Sequence, residues 1–120
     1  MMTKNPTWKI FLMYLFVLFL LVVSGDASAQ MTLKCFNAQW NQANSVEWVN
    51  SLDELKTISY IDVGTDKEAQ TKYKIAVIPT IIVFKDGEEA IRFQADLSFK
   101  MIATKEEVQE EIDNLLMSDF

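Results

Sequence analysis

Histidine does not occur in these 120 residues, cysteine occurs once, at Cys35, and glycine occurs three times. Without histidine there is no Cys-His pair, no Ser-His-Asp triad and no ordinary zinc site. A single cysteine cannot close an internal disulfide, so the stability of a small domain must come from packing alone. The glycines stand at Gly25, Gly64 and Gly87, none of them in a phosphate-cradling loop, which argues against a nucleotide cofactor. Basic residues are scarce as well. Eleven Lys and Arg stand against seventeen Asp and Glu, a formal charge of −6, and no basic stripe interleaves with aromatics. Such a surface repels phosphates, so no nucleic acid is expected as a partner. Metal sites and cofactors are expected to be absent.

What is present begins with a three-part leader. Lys4 and Lys9 precede an apolar run from Ile10 to Val23, and Ala27-Ser28-Ala29 precedes Gln30. That layout is a secretory signal peptide over residues 1–29. The alternative is an uncleaved anchor, but fourteen apolar residues at ~1.5 Å each span only about 21 Å of a hydrocarbon core ~30 Å thick. Cleavage after Ala29 leaves residues 30–120 as one small domain without a membrane segment, exported to the periplasm or the medium. Removing Lys4, Lys9 and Asp26 moves the formal charge to −7.

Along that domain, Leu33, Cys35 and Phe36 lie in a short apolar stretch that reads as a strand covered on both faces. Asn41 or Asn44 is placed to cap a following helix, and Asn44 with Glu47 imitates a capping box. Trp48, Val49, Leu52 and Leu55 continue it to about Lys56. Ser59 to Val63 reads as a second strand, and a polar helix follows from about Asp66 to Tyr73. Thr80 to Phe84 is an almost wholly apolar strand. Asp86-Gly87 carries the signal of a tight hairpin, which returns Glu89 to Gln94 antiparallel. Thr104 and Glu107 form a Ser/Thr-x-x-Glu capping box, and Val108, Ile112, Leu115 and Leu116 give the last helix one apolar face. The class is α/β, a central mixed sheet flanked by helices in the order β-α-β-α-β-β-α, with no repeat, linker or low-complexity segment. Acidic runs such as Glu106, Glu107, Glu110 and Glu111 read as a solvated helix face.

Five segments in this order carry a resemblance: Phe36-x-Ala38-x-Trp40, Asp62-Val63, Tyr73-x-Ile75, Val77-Ile78-Pro79-Thr80, and Phe84-Lys85-Asp86-Gly87-Glu88. Together they resemble the thioredoxin family over nearly the whole of residues 30–120. The resemblance implies a redox turn at Trp40-Asn41-Gln42-Ala43-Asn44, where the family would read Trp-Cys-x-x-Cys. It also implies a cis proline at Pro79, lying against that turn, and backbone groups on Ile78 that receive an extended segment of a partner protein.

The chain departs from the family at three places. Asn41 and Asn44 hold carboxamides, which form no thiolate and cannot cycle between oxidised and reduced states. Cys35 falls where catalytic relatives often keep a buried acid that assists thiol exchange. Ala95 stands for a small glycine, and Phe99 to Ala103 are extra residues at the rim of the groove. The family's leading strand and helix are also missing, which suggests an exposed sheet edge near Leu33 and a homodimer formed through it.

Two functional readings follow. The first is a non-catalytic, chaperone-like module that binds a polypeptide client of the cell envelope through Trp40, Asn41, Asn44, Ile78 and Pro79, an apolar groove rimmed by amides. The second is a thiol-disulfide oxidoreductase in redox homeostasis, acting through Cys35 or a partner's cysteine. Against it stands the position of Cys35 inside an apolar strand, which predicts a buried, inert thiol.

Overall fold

The computed structural model describes residues 30–118, and the segment read as a signal peptide lies outside them. Four strands form one mixed sheet in the spatial order β2-β1-β3-β4. Strand β1 (Met31–Asn37) is central, parallel to β2 (Thr57–Asp62) and antiparallel to β3 (Thr80–Lys85), which in turn pairs antiparallel with β4 (Glu88–Gln94). The central strands carry the most apolar sequence because both of their faces are covered. In β3 every residue from Thr80 to Phe84 is buried.

Each face of the sheet has its own core. Leu33, Cys35, Ile81 and Val83 pack with Val46, Val49 and Leu52 and with Val108 and Ile112 of the last helix. On the other face Phe36, Ile82 and Phe84 pack with Val63, Ala69, Ile75 and Ile78. Helix α1 (Lys67–Lys72) covers the second face, its N-terminus capped by Asp66, whose carboxylate accepts from the amide of Ala69 at 3.0 Å. Helix α2 (Lys105–Met117) covers the first. Its capping box is complete: Thr104 Oγ1 accepts from Glu107 N at 3.1 Å, and Glu107 Oε1 accepts from Thr104 N at 3.0 Å.

The hairpin between β3 and β4 closes through Asp86 (φ 53°) and Gly87 (φ 87°). Two successive positive φ values match the strand twist of a two-residue hairpin loop, and the Asp-Gly pair tolerates them at low cost. A β-bulge shifts the register between Val83 and Phe84.

Two expectations are corrected. The helix anticipated from Asn41 or Asn44 to Lys56 is replaced by two 3-10 helices, Gln39–Asn44 and Glu47–Ser51, neither with a side-chain cap. Ser45 (φ −61°, ψ 145°) and Val46 (φ −90°, ψ 85°) leave helical geometry and separate them. The apolar spacing explains the outcome. Val46, Val49 and Leu52 are all buried, and a strict interval of three keeps them on one side of a 3-10 helix, whereas an α-helix of 3.6 residues per turn would rotate them apart. The second correction concerns the open edge. Leu33 is fully buried in the central strand, and the strand that pairs on one side only, at that end of the sheet, is β2.

Candidate functional site

The Gln39–Asn44 turn and the proline loop meet at one end of the sheet. Ala38 leaves β1 in extended conformation, and the 3-10 helix that follows turns Trp40 outward and Asn41 inward. Trp40 is 67% exposed and Asn41 only 5%. The opposing loop is held at its base by Arg92, whose guanidinium donates to the carbonyls of Tyr73 at 2.7 Å and Lys74 at 3.0 Å. Glu89 orients that guanidinium through an ion pair at 2.9 Å. The same contact holds the Glu89 carboxyl below its ordinary range and raises the Arg92 pKa. At the far end Thr80 Oγ1 donates to Val77 O at 2.6 Å, and Ala95 N donates to Pro79 O at 3.0 Å. The Ile78–Pro79 peptide is cis.

Between these elements lies an open groove of about 240 Å³, lined by Trp40, Ile75 to Ile78 and Phe99, with Val63, Lys67 and Gln70 on its far wall. Lys67 is the one charged residue in its wall. Phe99 comes from the extra segment after β4, which closes on itself through an Ala95–Met101 bridge and an Asp96 turn. Asp96 Oδ1 accepts from Ser98 Oγ at 2.6 Å and from the amides of Ser98 and Lys100, which lowers its pKa. Phe99 meets the Trp40 ring edge-to-face, with centroids 5.1 Å apart.

Of the residues named from sequence, Trp40 and Ile78 line this groove, and Pro79 lies buried directly behind Ile78. Asn41 and Asn44 are not at its rim. The buried Asn41 amide donates to Asn37 Oδ1 and to the carbonyl of Phe99, each at 3.1 Å, and accepts from Asn44 Nδ2 at 2.9 Å. The two carboxamides therefore tie the turn to β1 and to the extra segment. Gln42 is exposed, and its carbonyl accepts from Ser45 Oγ at 2.7 Å and from Ser45 N at 3.0 Å. Ala43 is exposed in the same 3-10 helix.

Cys35 lies beneath a separate, shallow depression bounded by Asn37, Gln42 and Tyr60, and is only 3% exposed. Burial pushes its thiol up to about 11. Near neutral pH it stays protonated, which withholds the thiolate needed for attack on a disulfide. Three contributors escaped sequence reasoning: Lys67, Arg92 and the Phe99 carbonyl. For the last, a signal existed in the spacing of Asn37, Asn41 and Asn44, three carboxamides four and three residues apart around a turn.

No protein-family model and no curated protein matches this chain. Solved structures do. A thioredoxin mutant from Halobacterium salinarum is similar at TM-score 0.59 and 19% identity, with 72% of this chain and 75% of that one covered. A Fasciola hepatica thioredoxin is similar at TM-score 0.53 and 27% identity, covering 79% and 89%. The oxidised thioredoxin of Plasmodium falciparum follows at TM-score 0.51 and 17% identity, covering 72% and 82%.

Proposed function

We propose that this thioredoxin-like domain, which has a single cysteine and therefore no redox pair, is an exported, non-catalytic module that binds extended polypeptide. The observation that carries the reading is the groove between Trp40 and the 75–78 loop. It is open to solvent, mixed in polarity and walled by an aromatic side chain left mostly exposed. Exposed aromatics of that kind supply binding energy at low entropic cost, because few torsions are frozen when a partner covers them. Lys67 adds preference for a segment that carries a carboxylate, since the groove has no acidic wall residue to oppose it. The leader over residues 1–29 places the domain in the cell envelope or outside it, among unfolded or partly folded clients.

The test is binding of a reduced, unfolded model protein, followed by Trp40 fluorescence and by calorimetry. Trp40→Ala removes the exposed wall without disturbing a buried contact, and weakens binding about tenfold or more. Lys67→Glu weakens binding of acidic segments and spares neutral ones. Binding unchanged in both variants removes the groove from the function. Mass spectrometry of the exported protein checks the leader: its first residue is Gln30.

A further inference from the structure

Among the described residues, strand β2 pairs with β1 on one side only. Just past β2, Val63 N donates to Asn37 O at 2.9 Å, and the register sets Asn37 opposite Asp62, so the backbone groups of Ile61 and Val63 face β1. By alternation those of Thr57 and Ser59 do the same, and those of Ile58 and Tyr60 face outward along the open edge. An edge of this kind is a template for another strand unless charge, proline or a bulge blunts it. Nothing of that sort interrupts Thr-Ile-Ser-Tyr-Ile between Lys56 and Asp62.

The residue order along this edge is self-complementary. In an antiparallel pairing about a two-fold axis at Ser59, Ser59 meets Ser59 of the second copy and Thr57 meets Ile61. The outward-facing residues Ile58 and Tyr60 meet each other across the axis and form the hydrogen-bonded pairs, while Ser59 meets Ser59 in a non-hydrogen-bonded pair. On one face of the join Ile58 then lies against Tyr60 of the second copy, and Lys56 lies against Asp62. Tyr60 is 57% exposed in the isolated domain, with its hydroxyl tied to Asn50 Oδ1 at 2.6 Å, which holds the ring over the edge. Lys56 Nζ also donates to Gln30 Oε1 and Asp62 Oδ1 accepts from Gly64 N, contacts that fix both charges at the two ends of the strand. A register slipped by two residues in either direction puts Ile58 or Tyr60 opposite a charge and separates Lys56 from Asp62.

We propose that β2 is a homodimer interface, in which two copies of this chain join antiparallel about Ser59 into a continuous eight-stranded sheet. An edge join of this length buries less than a standard interface of ~1,600 Å², so the dimer is weak and forms reversibly with concentration.

Sedimentation velocity on protein purified from expression of the full-length chain, up to about 1 mM, is expected to show a concentration-dependent dimer. Register is read separately. Ser59→Cys places two thiols on Cα atoms ~4.5 Å apart across the axis, within disulfide range, whereas Thr57→Cys places its pair several residues apart. Mild oxidation therefore cross-links the first variant and not the second, and Cys35 is buried and does not compete. Lys56→Glu weakens association at least tenfold, and adding Asp62→Lys restores it. If that double variant fails to fold for want of the Gly64 contact, the comparison of Ser59→Cys with Thr57→Cys decides. A monomer at every concentration leaves the edge to a strand of some other protein and overturns the proposal, as does cross-linking of both cysteine variants alike.

Discussion

Asn44 donates its side-chain amide to Oδ1 of Asn41 across 2.9 Å, so two carboxamides of one 3-10 helix are locked together. Asn41 extends the contact to Asn37 and to the carbonyl of Phe99, and buries itself in doing so. The turn is held by an exchange of amide hydrogen bonds that anchors the segment after β4.

The first prediction follows from that exchange. Asn41→Ala strands the Phe99 carbonyl and Asn37 Oδ1 in a part-buried site, which costs about 1–3 kcal/mol by the usual penalty for an unsatisfied polar group. Asn44→Ala removes one contact from a less buried position and costs about 0.5–1.5 kcal/mol. Because the two residues share a bond, the double variant loses less than the two single effects added together. Urea unfolding of the four proteins measures all three quantities.

Cys35 gives a prediction in the alkaline range. Its thiol is raised from 9.0 to about 11 by burial, so the folded state holds the proton that the unfolded state releases. The sign follows directly: stability associated with this group is intact below pH 9.0 and falls as pH climbs toward about 11. The loss is on the order of 1.4 kcal/mol per pH unit within that window. Cys35→Ala is less stable at neutral pH because a buried sulfur is lost, and its stability then falls less steeply above pH 9.0. In parallel, the native thiol alkylates slowly at neutral pH and quickly after denaturation.

Asp96 gives the acidic counterpart. The Ser98 hydroxyl and the backbone amides of Lys100 and Ser98 depress its pKa, so the turn they form is favoured while the carboxylate is charged. A depressed carboxylate stabilises the folded turn at pH above its ordinary value, and the effect disappears as pH falls through the lower folded value. The group is fully exposed, so the change is local and not an unfolding of the domain. NMR amide shifts of Ser98 and Lys100 move together in acid, and Asp96→Asn abolishes that step.

Local chemistry was legible and long-range placement was not. The Asp86-Gly87 turn, the Asp66 cap and the Thr104–Glu107 box each act within four residues, so their identity fixed their structure. The spacing of Trp48, Val49, Leu52 and Leu55 predicts an α-helix after β1, while the buried series Val46, Val49, Leu52 keeps an interval of three. Strand order was beyond reach for a different reason. The apolar first strand reads as covered on both faces and stands at the centre, but which neighbour carries the open edge depends on the crossover to β2 and the return through β3. The groove itself was half legible. Trp40 and Ile78 announced it, whereas the inward turn of Asn41 depends on a carbonyl fifty-eight residues away.

The last prediction separates the stability of the extra segment from its use. Phe99 sits at φ 64°, a left-handed conformation that costs a residue with a Cβ roughly 1–2 kcal/mol. Phe99→Gly relieves that strain, but it gives up about 0.5–1.5 kcal/mol of edge-to-face contact with Trp40 and adds ~0.5–1 kcal/mol of unfolded-state freedom. The terms nearly cancel. The carbonyl that Asn41 holds belongs to the backbone and survives the change. Stability in urea therefore stays within about 1 kcal/mol of the parent, while Trp40 loses its neighbour, its emission shifts to the red, and the groove loses one wall. If the groove binds polypeptide, affinity for an unfolded client drops in a protein that is otherwise as stable as before, and a misfolded variant is not available as an explanation. Affinity that survives while the emission shifts assigns Phe99 a packing role and leaves the 75–78 loop to carry the contact.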